Sequence, residues 1–305
     1  GAGPRGDSGG VHAADSVPRG IVPLRGTGSP PPAAASPRGA PSGAAAELEA
    51  GRALYHSGNF AAAFPHFRRA AEAGNPEAMG FLGILYLRGE GTARSPELAI
   101  LWLRQAGEAR DPRGMNALGV AYQNGDGVDR SYRWARHWYT AAAEEKGYAE
   151  AMRNLGSLYR QGLGVDQSDE QALAWYRRAV GAGSLDAMVD AGLMYENGWG
   201  TRRNTDQALH WYRTAAEAGS PRGMFAMGRV HQEGVAVDRD YGQARTWYLK
   251  AARAGSADAM NNLGVLFQNG WGVRASRDEA IRWFRKAAAA GSAVAEANLA
   301  TLEAR

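Results

Sequence analysis

The sequence predicts an all-α chain, a solenoid of stacked antiparallel helix pairs rather than a single globular core. Three observations predict it. A two-residue mark recurs at Leu82-Gly83, Leu118-Gly119, Leu155-Gly156, Ala191-Gly192, Met227-Gly228 and Leu263-Gly264, and Leu299-Ala300 closes the series. The step is 36 residues, with one of 37, a period typical of repeat arrays. Within each period two apolar stretches run at helical spacing, and each stretch has its own start and stop signals.

Residues 1–46 are rich in Gly, Pro, Ala and Ser, with no large apolar cluster beyond the short IVPL run. Such a segment cannot bury enough surface to offset the entropy of ordering, so it is expected to be a disordered tail or linker. Its RGD tripeptide at Arg5 to Asp7 is a chance product of a Gly/Arg-rich stretch. Residues 47–75 read as a capping hairpin of two helices without a long loop. Six full repeats follow at 76–111, 112–148, 149–184, 185–220, 221–256 and 257–292, and residues 293–305 form a terminal capping helix. The extra residue of the 37-residue step is expected near Lys146-Gly147, in a turn between helices, where an insertion costs little.

Each repeat opens with a helix. Pro76, Pro112 and Pro221 follow Asn75, Asp111 and Ser220; a small polar cap before Pro satisfies one free backbone N–H and places Pro where its missing donor does no harm. Counting from those residues and their equivalents Ala149, Leu185 and Ala257, position 4 is Met in every repeat, which takes six of the eight Met in the chain. One residue at one phase in every copy is packing rather than a metal path. Position 8 is Gly in all six, at a helix-interior cost of roughly 1 kcal/mol. The expected compensation is a second helix crossing too close for a Cβ.

A G-x-G turn comes next, as in Gly125 to Gly127, with Gly234-Val235-Ala236 as a variant. No Lys of a nucleotide loop follows it, so it reads as a helix C-cap and turn. The second helix is capped by Ser95, Ser131, Ser168, Asn204, Asp240 and Ser276, and Gln171, Gln207, Gln243 and Glu279 suggest reciprocal capping boxes. Trp102, Trp138, Trp175, Trp211, Trp247 and Trp283 share one position and are expected to plug each helix pair. Trp199 and Trp271 lie inside G-x-G turns and are expected to be partly exposed.

Composition narrows the function. Of 35 basic and 31 acidic residues, four Arg and two Asp lie in the first 46, which leaves an array of 31 basic and 29 acidic residues. A near-neutral array without a basic stripe does not suit nucleic acid. There is no Cys, hence no disulfide, thiolate site or cysteine nucleophile. No apolar run is long enough to span a bilayer. The six His form no metal-spaced pair, and no nucleophile elbow is present. No catalytic residue, metal or cofactor is therefore assigned.

With these positions in place, the repeat resembles the Sel-one-like repeat, a relative of the tetratricopeptide repeat. Residues 149–184 carry the pattern A-M-x-x-L-G-x-x-Y-x-x-G-x-G-V, then A-x-x-W-Y-x-x-A-A-x-x-G. The resemblance implies a right-handed α/α superhelical solenoid of about seven repeats plus a capping helix. It also implies an adaptor or scaffold that binds a protein or extended peptide on its concave face, in a bacterial regulatory, envelope or secretion pathway. The alternatives are a hydrolase of cell-wall or β-lactam compounds and a self-assembling structural component. Oligomeric state is open; an exported or periplasmic location is favoured, with the cytoplasm as the alternative.

In tetratricopeptide solenoids the first helices line the concave side, so the candidates are the residues left at positions 2, 5, 6, 9, 12 and 13 once packing positions are removed. They are Asn116, Gln123 and Asn124; Arg153, Asn154, Ser157 and Arg160; Glu196 and Asn197, beside Asp190; Arg229 and Gln232; and Asn261, Asn262, Gln268 and Asn269. Amides suit the backbone of an extended peptide, and Arg153, Arg160 and Arg229 suit its carboxylates. Trp199 and Trp271 complete the candidate contacts.

Overall fold

The computed structural model describes residues 41–304; the IVPL run and the RGD tripeptide lie outside them. Helix pairs follow one another along the chain: α1 (Pro41–His56) and α2 (Phe60–Glu72), α3 (Pro76–Arg88) and α4 (Pro96–Glu108), α5 (Pro112–Asn124) and α6 (Tyr132–Thr140), α7 (Ala149–Gln161) and α8 (Asp169–Gly181). Then come α9 (Leu185–Asn197) and α10 (Thr205–Glu217), α11 (Pro221–Glu233) and α12 (Tyr241–Arg253), α13 (Ala257–Asn269) and α14 (Arg277–Ala289), and finally α15 (Ala293–Glu303). Each even-numbered helix packs on the odd-numbered helix before it and on the one after it. The result is an all-α solenoid. Its first helix starts at Pro41, inside the stretch expected as tail.

The caps form as their residue types require. Asn75 accepts from the Ala78 N–H at 3.0 Å and Asp111 from Gly114 at 2.6 Å, while the first helices of the full repeats end on a glycine with φ between 65° and 82°. The reciprocal half of the capping box is not made. In α8 the Ser168 hydroxyl turns to Glu170 at 3.1 Å, and in α14 Glu279 takes Arg282 instead. The cap N–H that such a bond would serve is already given to the preceding first helix: Ser168 donates to the Tyr159 carbonyl and Ser276 to that of Phe267, both at 2.9 Å.

The extra residue of the long repeat is not in the turn. It lies in the second helix, where α6 widens into a π-helical segment, Ala141–Glu145. A π turn absorbs one residue without changing the helix direction, so the following repeat keeps its register.

The position-8 glycines do mark the close crossing. A Cβ on Gly156 would stand 2.7 Å from the Tyr176 ring, and one on Gly264 would stand 2.5 Å from the Phe284 ring; Gly119, Gly192 and Gly228 meet Tyr139, Tyr212 and Tyr248 in the same way. The plug of each pair is thus the residue after the Trp, not the Trp. Leu103, Tyr139, Tyr176, Tyr212, Tyr248 and Phe284 are at most 3% exposed, whereas the six Trp are half-buried. One indole face packs inward, and cations from the next turn cover several of them, as Arg178 covers Trp175 and Lys250 covers Trp247, both at 4.1 Å. On the first helix positions 7 and 10 are equally deep, the latter being Leu85, Ala121, Leu158, Met194, Val230 and Leu266.

Burial pushes the Tyr176 and Tyr248 hydroxyls up to about 12 and raises Tyr139 and Tyr212 as well. An unfolded phenol loses its proton near its ordinary value, about 10, while the buried one keeps it. Stability must therefore fall as pH rises above that value, by up to ~1.4 kcal/mol per pH unit for each such tyrosine. Urea midpoints at pH 9 and pH 11 should show this drop, and Tyr176→Phe should flatten it; equal midpoints would contradict the burial. A second test concerns Ala236, which holds φ 59° where other repeats have Gly. Ala236→Gly should raise stability by about 1 kcal/mol. Gly272→Ala should lower it by roughly 2 kcal/mol or more, because its Cβ would also stand 2.7 Å from the Tyr241 Cβ. Thermal melts decide both.

Candidate functional site

The candidate residues other than Trp199 and Trp271 project from successive first helices, and several of them hold one another. Asn154 donates to Asn116 at 2.9 Å, and Asn298 donates to Asn261 at 2.9 Å, each bond linking a repeat to the next first helix. Asp190 accepts from Arg153 at 2.5 Å and from Arg222 at 2.7 Å, so one carboxylate ties α7, α9 and α11. Arg229 reaches Glu196 at 2.8 Å and Glu233 at 2.9 Å. Arg153 and Arg229 are thus occupied by the protein's own carboxylates, which corrects their expected role as free carboxylate binders. Asp190 and Glu196 have side chains only 13% and 11% exposed. Burial works to raise the Glu196 carboxyl, but hydrogen bonds from Arg229 and Tyr212 outweigh it and hold the group below its usual range.

Position 12 has a different task. The buried tyrosine hydroxyls of the second helices need acceptors: Tyr139 donates to Gln123 at 2.9 Å, Tyr212 to Glu196 at 2.7 Å and Tyr248 to Gln232 at 2.9 Å. Asn262 adds a bond to the Tyr248 hydroxyl at 3.0 Å. Gln123, Glu196 and Gln232 are therefore partners of the core, not residues set aside for a ligand. Gln268 is the contrast: its second-helix counterpart is Phe284, which has no hydroxyl, and its side chain is exposed.

The remaining candidates bind locally. Ser157 accepts from Gln161 at 2.6 Å, Asn197 donates to the Leu193 carbonyl at 2.9 Å, and Asn269 donates to that of Val265 at 3.1 Å. Asn124 donates to Asp126 at 3.3 Å. Arg160 lies 4.3 Å above the Trp199 ring, which is half-buried. Trp271 is 38% exposed and stacks on Tyr241 with centroids 5.2 Å apart.

Position 2 belongs to the expected concave side, but its charged residues are absent from the candidates drawn from sequence. Glu77, Arg113, Glu150, Asp186, Arg222 and Asp258 occupy it in turn, and the strip depends on several of them. Glu77 is paired with Arg52 of α1, and Asp186 sits 3.4 Å from Arg222. Their signal was legible as an ionised side chain at one position in every copy.

Among the described residues no group of three or more His, Asp or Glu could hold a metal ion, and no helix is long and apolar enough to cross a membrane. What the arrangement provides is a ready-ordered row of amides and ion pairs.

No curated protein matches the chain in sequence. A family model described as Sel1 repeat matches residues 44–75, 76–111, 112–146, 149–184, 185–220, 221–256 and 257–292. The chain is similar to c5321, a protective antigen of uropathogenic Escherichia coli with an SLR fold, at 33% identity and a TM-score of 0.56 over 85% of this chain. It spans only 56% of that protein. It is similar also to a Sel1 repeat protein of Oxalobacter formigenes, at 28% identity and a TM-score of 0.67, over 79% of this chain and 96% of that one. Yeast Tom70, at 15% identity and a TM-score of 0.52 over 87% of this chain and 64% of its own, shares the fold alone. Repeats of this fold typically serve as scaffolds for protein–protein interaction and are generally noncatalytic. Seven matched units between residues 44 and 292, each the same pair of helices, place the chain in the Sel1 repeat family.

Proposed function

We propose that this protein is a noncatalytic scaffold whose first-helix face binds an extended peptide segment of a protein partner. The observation that carries the reading is the cross-repeat strip. Its side chains tie α1 to α3, run unbroken from α5 to α11, and tie α13 to α15, yet the Asn116 amide nitrogen and the Asn154 amide oxygen keep hydrogen-bonding capacity after the bond between them is made. A surface ordered beforehand loses less side-chain entropy when it binds, and amides presenting both donor and acceptor match a peptide backbone. A bacterial regulatory, envelope or secretion setting belongs to this reading, and the similarity to the E. coli protective antigen supports it.

The test is selection of random peptides on the full chain, followed by affinity measurement on a strip variant. Asn116→Leu with Asn154→Leu exchanges a hydrogen-bonded pair for an apolar pair of similar size. Selected peptides should bind this variant about tenfold or more weakly, with the thermal midpoint shifted by only a few degrees. Unchanged affinity would remove the strip as the binding face. Turnover of a chromogenic β-lactam by the purified chain would overturn the noncatalytic part of the reading.

A further inference from the structure

Arg222 and Arg113 both stand at position 2 of their repeats, but their surroundings differ. Arg222 has its carboxylates supplied by positions 2 and 6 of the preceding repeat: it lies 3.4 Å from Asp186 and 2.7 Å from Asp190. For Arg113 the same two positions are Glu77 and Phe81. Glu77 is drawn to Arg52, which also reaches Glu49 at 2.6 Å. Phe81 has no charge to offer; it is 1% exposed, is held by stacking on Phe67 with centroids 4.4 Å apart, and carries the Arg113 guanidinium 3.9 Å above its ring. The Arg113 side chain makes no hydrogen bond or ion pair to any described residue, although the buried Asp111 carboxylate of the same helix start feels its charge, and its Nε is buried without a partner. Arg52, Arg153, Arg222 and Arg229, on the same strip, all hold carboxylates.

The guanidinium lies at the edge of a concavity of about 480 Å³ lined also by Glu49, Arg52, His56, Glu77 and Phe81. The aromatic floor fixes the plane of the fork, and a guanidinium fixed in plane favours two parallel hydrogen bonds to a carboxylate.

We infer that Arg113 is a built anchor for an acidic side chain, Asp or Glu, of the bound peptide, which would occupy the place that Asp190 takes beside Arg222. This rests on the peptide-binding reading and gives it a chemical preference and a register: the ligand carries its acid where it crosses from α3 to α5. The flanking Glu49 and Glu77 share Arg52, which offsets one of their two charges, so the arriving carboxylate depends on the paired hydrogen bonds of the Arg113 fork to outweigh the other.

The test reads the Arg113 side-chain N–H signal by nitrogen–proton correlation NMR on the full chain, assigned by its loss in Arg113→Lys. Three probes are titrated: N-acetylglutamate amide, N-acetylglutamine amide and N-acetylalanine with a free terminal carboxylate. The expected result is a saturable shift with the glutamate probe and none with the glutamine probe. A comparable response to N-acetylalanine alone would overturn the side-chain assignment in favour of a chain terminus. Absence of saturation with either carboxylate, or equal response to glutamine, would overturn the anchor. Peptides from the selection above complete it: Arg113→Gln should weaken acidic peptides about tenfold or more and leave their Glu→Gln versions unchanged. Selected peptides that bind but ignore Arg113 would sink the anchor while the scaffold reading stands, and failure to select any would sink both.

Discussion

The contact between the glycine at position 8 and the ring of the following helix sets the rest of the structure. With no Cβ on Gly156, the Tyr176 ring lies directly against the α7 backbone, and the equivalent rings do the same at Gly119, Gly192, Gly228 and Gly264. Close approach lets a large aromatic side chain become fully buried between two thin helices, and that burial outweighs the helix-breaking tendency of glycine. Where the ring is a tyrosine it brings a hydroxyl into the core. A buried hydroxyl without a partner is costly, so for Tyr139, Tyr212 and Tyr248 position 12 of the first helix supplies an acceptor, Gln123, Glu196 and Gln232 in turn; opposite Tyr176 that position is Arg160, which only donates. A packing demand thereby reaches through to the face that would otherwise be free for a partner.

The same face also joins the repeats. In a solenoid each unit touches only its neighbours, so bonds such as Asn154 to Asn116 and the two arginines on Asp190 act at every interface they cross. Partly exposed ion pairs contribute little stability individually. Their larger effect here is geometric, because a carboxylate gripped from both sides fixes the spacing of three first helices. The π segment Ala141–Glu145 serves the same end: it takes up the odd residue inside a helix and leaves the spacing of the next first helix intact.

Several features could be read from residues alone because they depend on local rules repeated many times. The helix starts at Asn75, Asp111 and Ser220, the left-handed glycine stops and the close crossing at position 8 each follow from the conformational needs of one residue type. The Trp column was assigned to the core, and the structure moves that role one residue onward. Trp and Tyr are adjacent, one helical step of about 100° apart, and periodicity alone does not say which of two neighbouring aromatics points at the glycine. The extra residue shows the same limit, since a count finds it but not the turn that absorbs it.

The sequence by itself determined the repeat, the helix pairs, the caps and the family, since each rests on covalent geometry and spacing written into every copy. Only the tertiary structure decided which polar side chains are spent. Arg153, Arg229, Gln123, Glu196 and Gln232 look like free surface groups in one dimension, yet their partners lie in another helix or another repeat, between 16 and 37 residues away. Arg113 is the reverse case. In sequence it is one charged position 2 among several, and it stands out only where the neighbouring repeat is seen to present Phe81 in place of a carboxylate. Pairing is a property of the stacked array, because a charge is satisfied by what lies within a few ångströms in space, whatever its distance along the chain.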